Sequence, residues 1–293
     1  MRILICSDGM PASVTATRLG GIISRSCGAE TVLLGIVEQP RDETPLRQAL
    51  EAEAHQLRHE SIEPKIVIRA GEPIHEIFNE TSGNDYDLVV IGAQHKGSSG
   101  LYWRSEKTYE VIKAIVPPVL VAIGECETLT RFLVCSGGGA YIDEALKLTG
   151  KIAVAVGASV TLLHVMAEPP AMYADLVQLE EDLERLLESK SELGTNLRRQ
   201  KDLLEKLGAK AEVRIRHGIV IDQVFQEIRT GDYDLVITGS TRARGVLRHY
   251  IMGDLTRQIL NRANCAVLVA RAGAIQPRSF WKRLKDAFAA TSG

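Results

Sequence analysis

The stretch Arg2-Ile3-Leu4-Ile5-Cys6-Ser7-Asp8-Gly9 returns 129 positions later as Arg131-Phe132-Leu133-Val134-Cys135-Ser136-Gly137-Gly138. Each copy is a short, β-rich apolar run ending in small residues, and self-similarity at a fixed offset marks a duplicated structural unit. The correspondence continues along the chain. Gly28-Ala29 pairs with Gly157-Ala158, and Thr31-Val32-Leu33-Leu34 with Val160-Thr161-Leu162-Leu163, at the same offset. Ile68-Arg69-Ala70-Gly71 then answers Ile215-Arg216-His217-Gly218, and Asp85-Tyr86-Asp87-Leu88-Val89-Val90-Ile91-Gly92 answers Asp232-Tyr233-Asp234-Leu235-Val236-Ile237-Thr238-Gly239, at an offset of 147. Val119-Leu120-Val121-Ala122 answers Val267-Leu268-Val269-Ala270 at 148. The shift from 129 to 147 gives the second copy 18 extra residues between its second and third strands. The expected domains are residues 1–126 and 127–271, with a tail at 272–293.

Within each copy, β-rich runs alternate with segments of helical period, the pattern of βαβ units on a parallel sheet. In the first copy the strands are expected near 2–6, 31–37, 65–69, 87–91 and 119–123. Their near-continuous Val, Ile and Leu content suits a sheet covered by helices on both faces. Ile142, Ala145, Leu146, Thr149, Ile152, Ala153 and Val156 share one face of a helix, which Gly157 ends as Gly28 ends its counterpart. Pro11 fits the first turn of the first helix, where its missing N–H costs nothing. The fold class is therefore α/β, two tandem doubly wound five-stranded parallel sheets, for which the order 3-2-1-4-5 is expected.

A length of 293 residues agrees with two domains of ~150 each. A hydrophobic share of 45% and a charged share of 25% exclude disordered and fibrous classes. Net charge is -2, which leaves no whole-chain attraction to nucleic acid or an anionic membrane. No apolar run approaches the ~18 residues of a membrane span, and the N-terminus lacks the pattern of a cleaved leader. Five cysteines (Cys6, Cys27, Cys126, Cys135, Cys265) form no CxxC pair, so a reduced, cytoplasmic chain without disulfides or zinc is expected. Cys6 and Cys135 read as buried strand residues rather than redox sensors.

The insertion falls in Tyr173–Leu207, where Leu176, Leu179, Leu183, Leu186 and Leu187 keep helical spacing. It reads as a long amphipathic helix on the sheet with a second helix after Gly194. In the tail, Phe280, Trp281, Leu284 and Phe288 form one side of a short basic helix, compatible with docking on the protein or a partner subunit, or with a membrane surface.

A doubly wound sheet binds ligands where strand order reverses, here between strands 1 and 4. That places Ser7-Asp8-Gly9 with Gly92 at one crevice and Ser136-Gly137-Gly138-Gly139 with Gly239 at the other. Short side chains there let a ligand approach the backbone. Together with Leu162-Leu163-His164-Val165, the twin Asp-Leu-Val strands and Ala263-Asn264-Cys265-Ala266-Val267-Leu268-Val269, these residues resemble the universal stress protein family in its tandem form, up to about Arg271. The resemblance implies an adenine nucleotide alpha hydrolase-like fold and fifth strands that pair between domains, making one chain an intramolecular pseudo-dimer. A homodimer of such chains stays open. It also implies ATP or another adenine nucleotide as ligand, an acidic residue after strand 1 at the adenosine, and a loop G-x-x-G, nine residues, G-[ST] after strand 4 around the phosphates.

Neither copy holds the whole set. The first keeps Asp8 but reads Gly92-Ala93-Gln94-His95 and Ser105-Glu106-Lys107-Thr108 in place of the phosphate glycines. The second keeps Gly239, Gly245, Gly253 and Thr256, with Arg242 at the second glycine, Gly137 in place of the acid and Asp254 in place of the phosphate-binding hydroxyl. Asp254 is expected to be the N-cap of the last helix, worth about 1 kcal/mol, and its charge opposes phosphate. Arg242, Arg244, Arg248 and His249 supply a positive field that counters it. The expected working site is the second copy: Ser136, Gly137, Val165, Thr238, Gly239, Arg242, Gly253, Asp254 and Thr256, with Asp8 the nucleoside contact of the first. Ser136-Gly137-Gly138-Gly139-Ala140-Tyr141 lacks the Asp and Ser of an adenylating SGGxDS loop, and no GxxxxGK[ST] occurs. His95 and His249 are lone loop histidines, so a binding or regulatory module is expected rather than an enzyme. The rival reading is an interaction protein that recruits a partner through the long helix and the tail; a weak ATPase is third.

Overall fold

The computed structural model describes residues 1–93, 106–124, 126–139, 142–166, 179–242, 250–251 and 253–271, with the backbone alone for 106–107, 179–182, 240–242 and 250–251. The first half runs β1 (Arg2–Cys6), α1 (Pro11–Cys27), β2 (Glu30–Val37), α2 (Glu43–His59), β3 (Lys65–Ala70), α3 (Pro73–Gly83), β4 (Leu88–Gly92), α4 (Glu106–Ala114) and β5 (Val119–Ala122). The second runs β6 (Arg131–Cys135), α5 (Asp143–Val156), β7 (Ser159–Met166), α6 (Leu179–Glu188), α7 (Glu192–Lys206), β8 (Lys210–His217), α8 (Val220–Gly231), β9 (Leu235–Arg242), β10 (Tyr250–Ile251), α9 (Asp254–Arg262) and β11 (Ala266–Arg271). The expected strands agree with these to within a residue at each end. Gly28 and Gly157 hold left-handed φ of 58° and 76° at the ends of α1 and α5, and Pro11 opens α1.

The strand order is β3-β2-β1-β4-β5-β11-β9-β6-β7-β8. In each half the strands on this path show the reversal expected and run parallel, with β10 off the path beside β9. The halves are joined into one sheet rather than left as two, through the fifth strands as the resemblance implied. β5 and β11 pair antiparallel, Val121 opposite Val267 and Val119 opposite Val269, so one sheet crosses the junction. Alternation of side chains splits the strands between two apolar layers: Ile3, Ile5 and Leu33 lie against α1 and α2, while Leu4, Val89 and Val119 lie with residues of α3 and α4. Both layers run on into the second half, under α5 and α7 on one face and α8 and α9 on the other.

The inserted region breaks earlier than expected. α6 ends at Glu188, and Ser191, whose Oγ accepts the Gly194 N–H at 3.1 Å, caps α7. Gly194 sits inside the first turn, where a Cβ would stand 2.0 Å from the Leu186 carbonyl oxygen. The glycine is there for close helix approach rather than to end a helix. Leu183, Leu186 and Leu187 pack against the apolar layer under α5 and α7 that runs through both halves. Tyr173, Leu176 and the tail from 272 lie outside the described residues. Among the described residues no helix is long and apolar enough to cross a membrane.

Candidate functional site

In the first half the backbone of Ser7 extends the ladder by donating to the Leu34 carbonyl at 2.9 Å, and the chain then turns into α1. Gly9 makes that turn at φ 74°, with the Asp8 carboxylate accepting the Met10 N–H at 3.0 Å. Beneath it, the buried Ser7 Oγ donates to Glu53 Oε1 at 2.6 Å and accepts the Gly9 N–H at 3.1 Å. Thr17 Oγ1 donates to the other oxygen of Glu53. Two hydroxyls thus satisfy a carboxylate that is 4% exposed and projects from α2 under the strand-1 loop.

A cleft of about 360 Å³ opens between the ends of β1 and β4, within the size range of small-molecule sites. Ile36, Ile74, Ile77, Ile91 and Val111 supply its apolar walls, and Ser7, Asp8, Glu38 and Thr108 its polar groups. Asp8 and Glu38 are exposed, so the carboxylates stand at the solvent side. Gly92 closes the other wall: a Cβ there would stand 2.2 Å from the Ala12 carbonyl oxygen. Cys6 lines the cleft, and its thiol is pushed up to about 12, chiefly by burial and secondarily by the Glu80 charge. At neutral pH it is a thiol and not a nucleophile.

The second half builds the same corner differently. Ser136 Oγ donates at 2.8 Å to Gln200 Oε1, and Gln200, which occupies the place of Glu53, donates its Nε2–H to the Gly139 carbonyl at 2.9 Å. Asn196 donates to the Gly138 carbonyl at 2.9 Å, and His164 Nδ1 lies 2.9 Å from the Ser136 carbonyl oxygen. The glycine loop is therefore tied down by α7. Gly137 is exposed, and Val165 is half-buried beside the apolar layer under α8 and α9. Cys135, the counterpart of Cys6, is also pushed up to about 12, by burial first and then by Cys265.

At the end of strand 4 the halves diverge further. β9 continues past Gly239 to Arg242 and pairs antiparallel with β10, Arg242 opposite Tyr250. Ser240 to Arg242 are thus extended ladder residues, a correction to the expected loop beginning at Gly239. Thr256 Oγ1 donates to the Gly239 carbonyl at 3.0 Å and lies 2.8 Å from Thr238 Oγ1, both hydroxyls being buried. The N-cap of α9 is Gly253, not Asp254, which is the exposed first residue of the helix. There its carboxylate faces the positive end of the helix dipole without closing the cap. The cap position needs extended backbone, which Gly253 takes at φ -65°, ψ 162°. Gln94, His95, Ser105, Arg244, Gly245, Arg248 and His249 lie outside the described residues.

Away from the crevices each half repeats one ionic cluster. Tyr86 donates to Glu80 at 2.8 Å and Arg69 donates to the other carboxylate oxygen, Nε at 2.9 Å. In the second half Tyr233 donates to Glu227 at 2.7 Å, with Arg214 and Arg216 at 2.5 and 2.6 Å. Burial pushes both carboxyls up, but the hydrogen bonds and arginine charges outweigh it and hold them below 4.5. Among the described residues no three metal-ligating side chains converge.

Sequence reasoning brought Ser136, Gly137, Val165, Thr238, Gly239 and Thr256 to one corner, and the fold gathers them there. It missed Glu53 and Gln200. Their shared offset of 147, the same as that of Leu50 and Leu197, was the available signal.

Residues 128–271 match the universal stress protein family. None of the curated proteins matches the chain significantly. Among solved structures, a universal stress protein from Archaeoglobus fulgidus DSM 4304 is similar at 16% identity and TM-score 0.71, over 93% of this chain and 98% of that one. A protein from Pseudomonas aeruginosa UCBPP-PA14 described as a universal stress protein is similar at 17% and 0.64, over 92% and 93%. A shorter Archaeoglobus fulgidus universal stress protein, in complex with dAMP, aligns with 50% of this chain at 14% identity and TM-score 0.34, over 98% of its own length.

Proposed function

We propose, from the premise that the chain belongs to the universal stress protein family through residues 128–271, that it is a cytoplasmic, non-catalytic regulatory module. Its two halves act as one pseudo-dimer, and an adenine nucleotide is its ligand. The observation that carries this reading is the cleft of about 360 Å³ at the point where strand order reverses, with Asp8 at its solvent side. Isoleucine walls suit a flat base, and a carboxylate suits the hydroxyl donors of a ribose. The first crevice is thereby favoured as the nucleoside site.

The second crevice is the alternative seat. Gly239 supports it, since a Cβ there would meet nothing among the described residues, as does the exposed backbone of Gly137. Against it, the hydroxyls of Ser136 and Thr256 are already engaged within the fold. Calorimetry on the full chain with adenosine, AMP, ADP and ATP separates the two. With the first crevice at work, Asp8→Ala weakens binding about tenfold, the loss of a hydrogen bond to a charged group, and Gly239→Val leaves it unchanged. The reverse pattern assigns the ligand to the second crevice. No heat and no thermal shift at millimolar ligand overturns the nucleotide reading.

A further inference from the structure

Arg271, the last residue of β11, is a charged side chain only 2% exposed. Its Nε donates to the carbonyls of Val116 and Pro117 at 3.2 and 3.1 Å, and its Nη2 to those of Ile112 and Ile115 at 2.7 and 2.9 Å. These carbonyls belong to the last turn of α4 (Ile112) and to the segment that leaves it (Ile115, Val116 and Pro117), in the other half of the chain. The need for them follows from the sequence. Pro117 and Pro118 carry no N–H, so beyond the Ile115 N–H, which returns to the Val111 carbonyl at 3.2 Å, the segment leaving α4 is short of donors for the carbonyls around it. A guanidinium brings five donors, and its charge is favoured at the negative end of a helix.

The arrangement is one-sided. The counterpart of Arg271 in the first copy is Ile123, and α9 is followed by Asn264-Cys265-Ala266, all with N–H groups. The second half also holds α4 through a hydrogen bond from the Tyr109 hydroxyl to Asn261 in α9, and through β10, which packs against α4. The same helix presents Thr108 and Val111 to the first-half cleft.

We propose that Arg271 is a positioning residue for the first-half cleft. The α4 wall of that cleft is held in place from the second half, so the site is composite and incomplete without the partner half. Arg271 thereby sets the shape of the cleft whichever ligand occupies it.

The test needs no ligand. Cys6 lines the cleft and Cys135 is its counterpart in the other half. The full-length wild type, Arg271→Met and Arg271→Lys are exposed to N-ethylmaleimide, and modification of each cysteine is followed by peptide mass spectrometry. Displacing α4 hydrates the Cys6 thiol and opens a path to it, so its modification rate should rise about tenfold in Arg271→Met while that of Cys135 is unchanged. Arg271→Lys, with three donors for four carbonyls, should give a smaller rise. A parallel rise at both cysteines, or an unchanged Cys6 rate in the folded variant, overturns the proposal. Should Arg271→Met fail to fold, Arg271→Lys decides by the same two readings.

Discussion

Ser7 and Ser136 occupy the same place in two copies of one fold, and each hydroxyl donates to a buried residue one helix away: Glu53 in the first half, Gln200 in the second. The first pairing leaves a cleft with carboxylates at its solvent side, while the second draws the glycine loop onto α7 through the carbonyls of Gly138 and Gly139. The difference tracks one further position. Thr17 gives Glu53 a second hydroxyl, whereas its counterpart Leu146 offers none, so an amide that donates elsewhere is the group that can be satisfied there. Duplication preserved the sheet and let the corners take up different chemistry, because a buried polar group needs its partners and not a particular identity.

Exchanging these two residues should break the comparison unequally. Gln200→Glu buries a carboxylate against the Gly139 carbonyl and should cost about 3 kcal/mol or more at neutral pH. Its introduced carboxyl has a folded-state pKa above the unfolded one, so urea denaturation should recover part of the loss as pH falls and the group is protonated. Glu53→Gln keeps an acceptor for Ser7 and should cost only about 1 kcal/mol. Equal losses would mean that the two corners are electrostatically alike.

The glycines at the ends of the fourth strands offer the next contrast. Gly92→Ala forces a methyl group into the Ala12 carbonyl and should lower stability by about 3 kcal/mol in thermal or urea melts. Gly239→Ala should change it by no more than about 0.5 kcal/mol.

The ionic clusters give a smaller difference. Both Glu80 and Glu227 are held below their ordinary value of 4.5, so each contributes stability above that pH and loses it as pH falls through the folded value. Glu227→Gln should flatten the acid limb of the stability profile and cost about 2 kcal/mol at pH 7, because Arg216 loses its buried acid and Arg214 keeps only the exposed Glu212. Glu80→Gln should cost less, about 1 kcal/mol, with Arg69 still beside Glu76. Urea melts at pH 7 and pH 3 check both.

Much of the fold was legible along the chain. Gly28, Gly157 and Pro11 announced helix ends, and the Val- and Ile-rich runs announced strands, because capping and burial act within a few residues of each other. Legibility failed where one residue had two uses. Asp254 has a capping residue's chemistry, but the extended backbone of the cap falls on Gly253. Gly194 resembles a helix break, and only its distance to Leu186 shows that it permits two helices to touch.

The site divides in the same way. The position of the crevices followed from the strand order expected of a doubly wound sheet, and the residues expected at each corner were those whose sequence neighbours end strands 1 and 4. Glu53, Gln200 and Arg271 were illegible because their partners lie 46, 64 and more than 150 residues away. A duplicated α/β unit and its small-residue corners were readable from the chain alone, since each follows from local periodicity and self-similarity, while the strand order was an expectation of the fold class that the pairing of the strands bears out. The fold had to be in hand to see which buried side chains hold each corner, Glu53 in one and Gln200 in the other, and that an arginine of one half holds a wall of the other. Those outcomes depend on which buried donors meet which acceptors across the fold, and no local pattern records such a meeting.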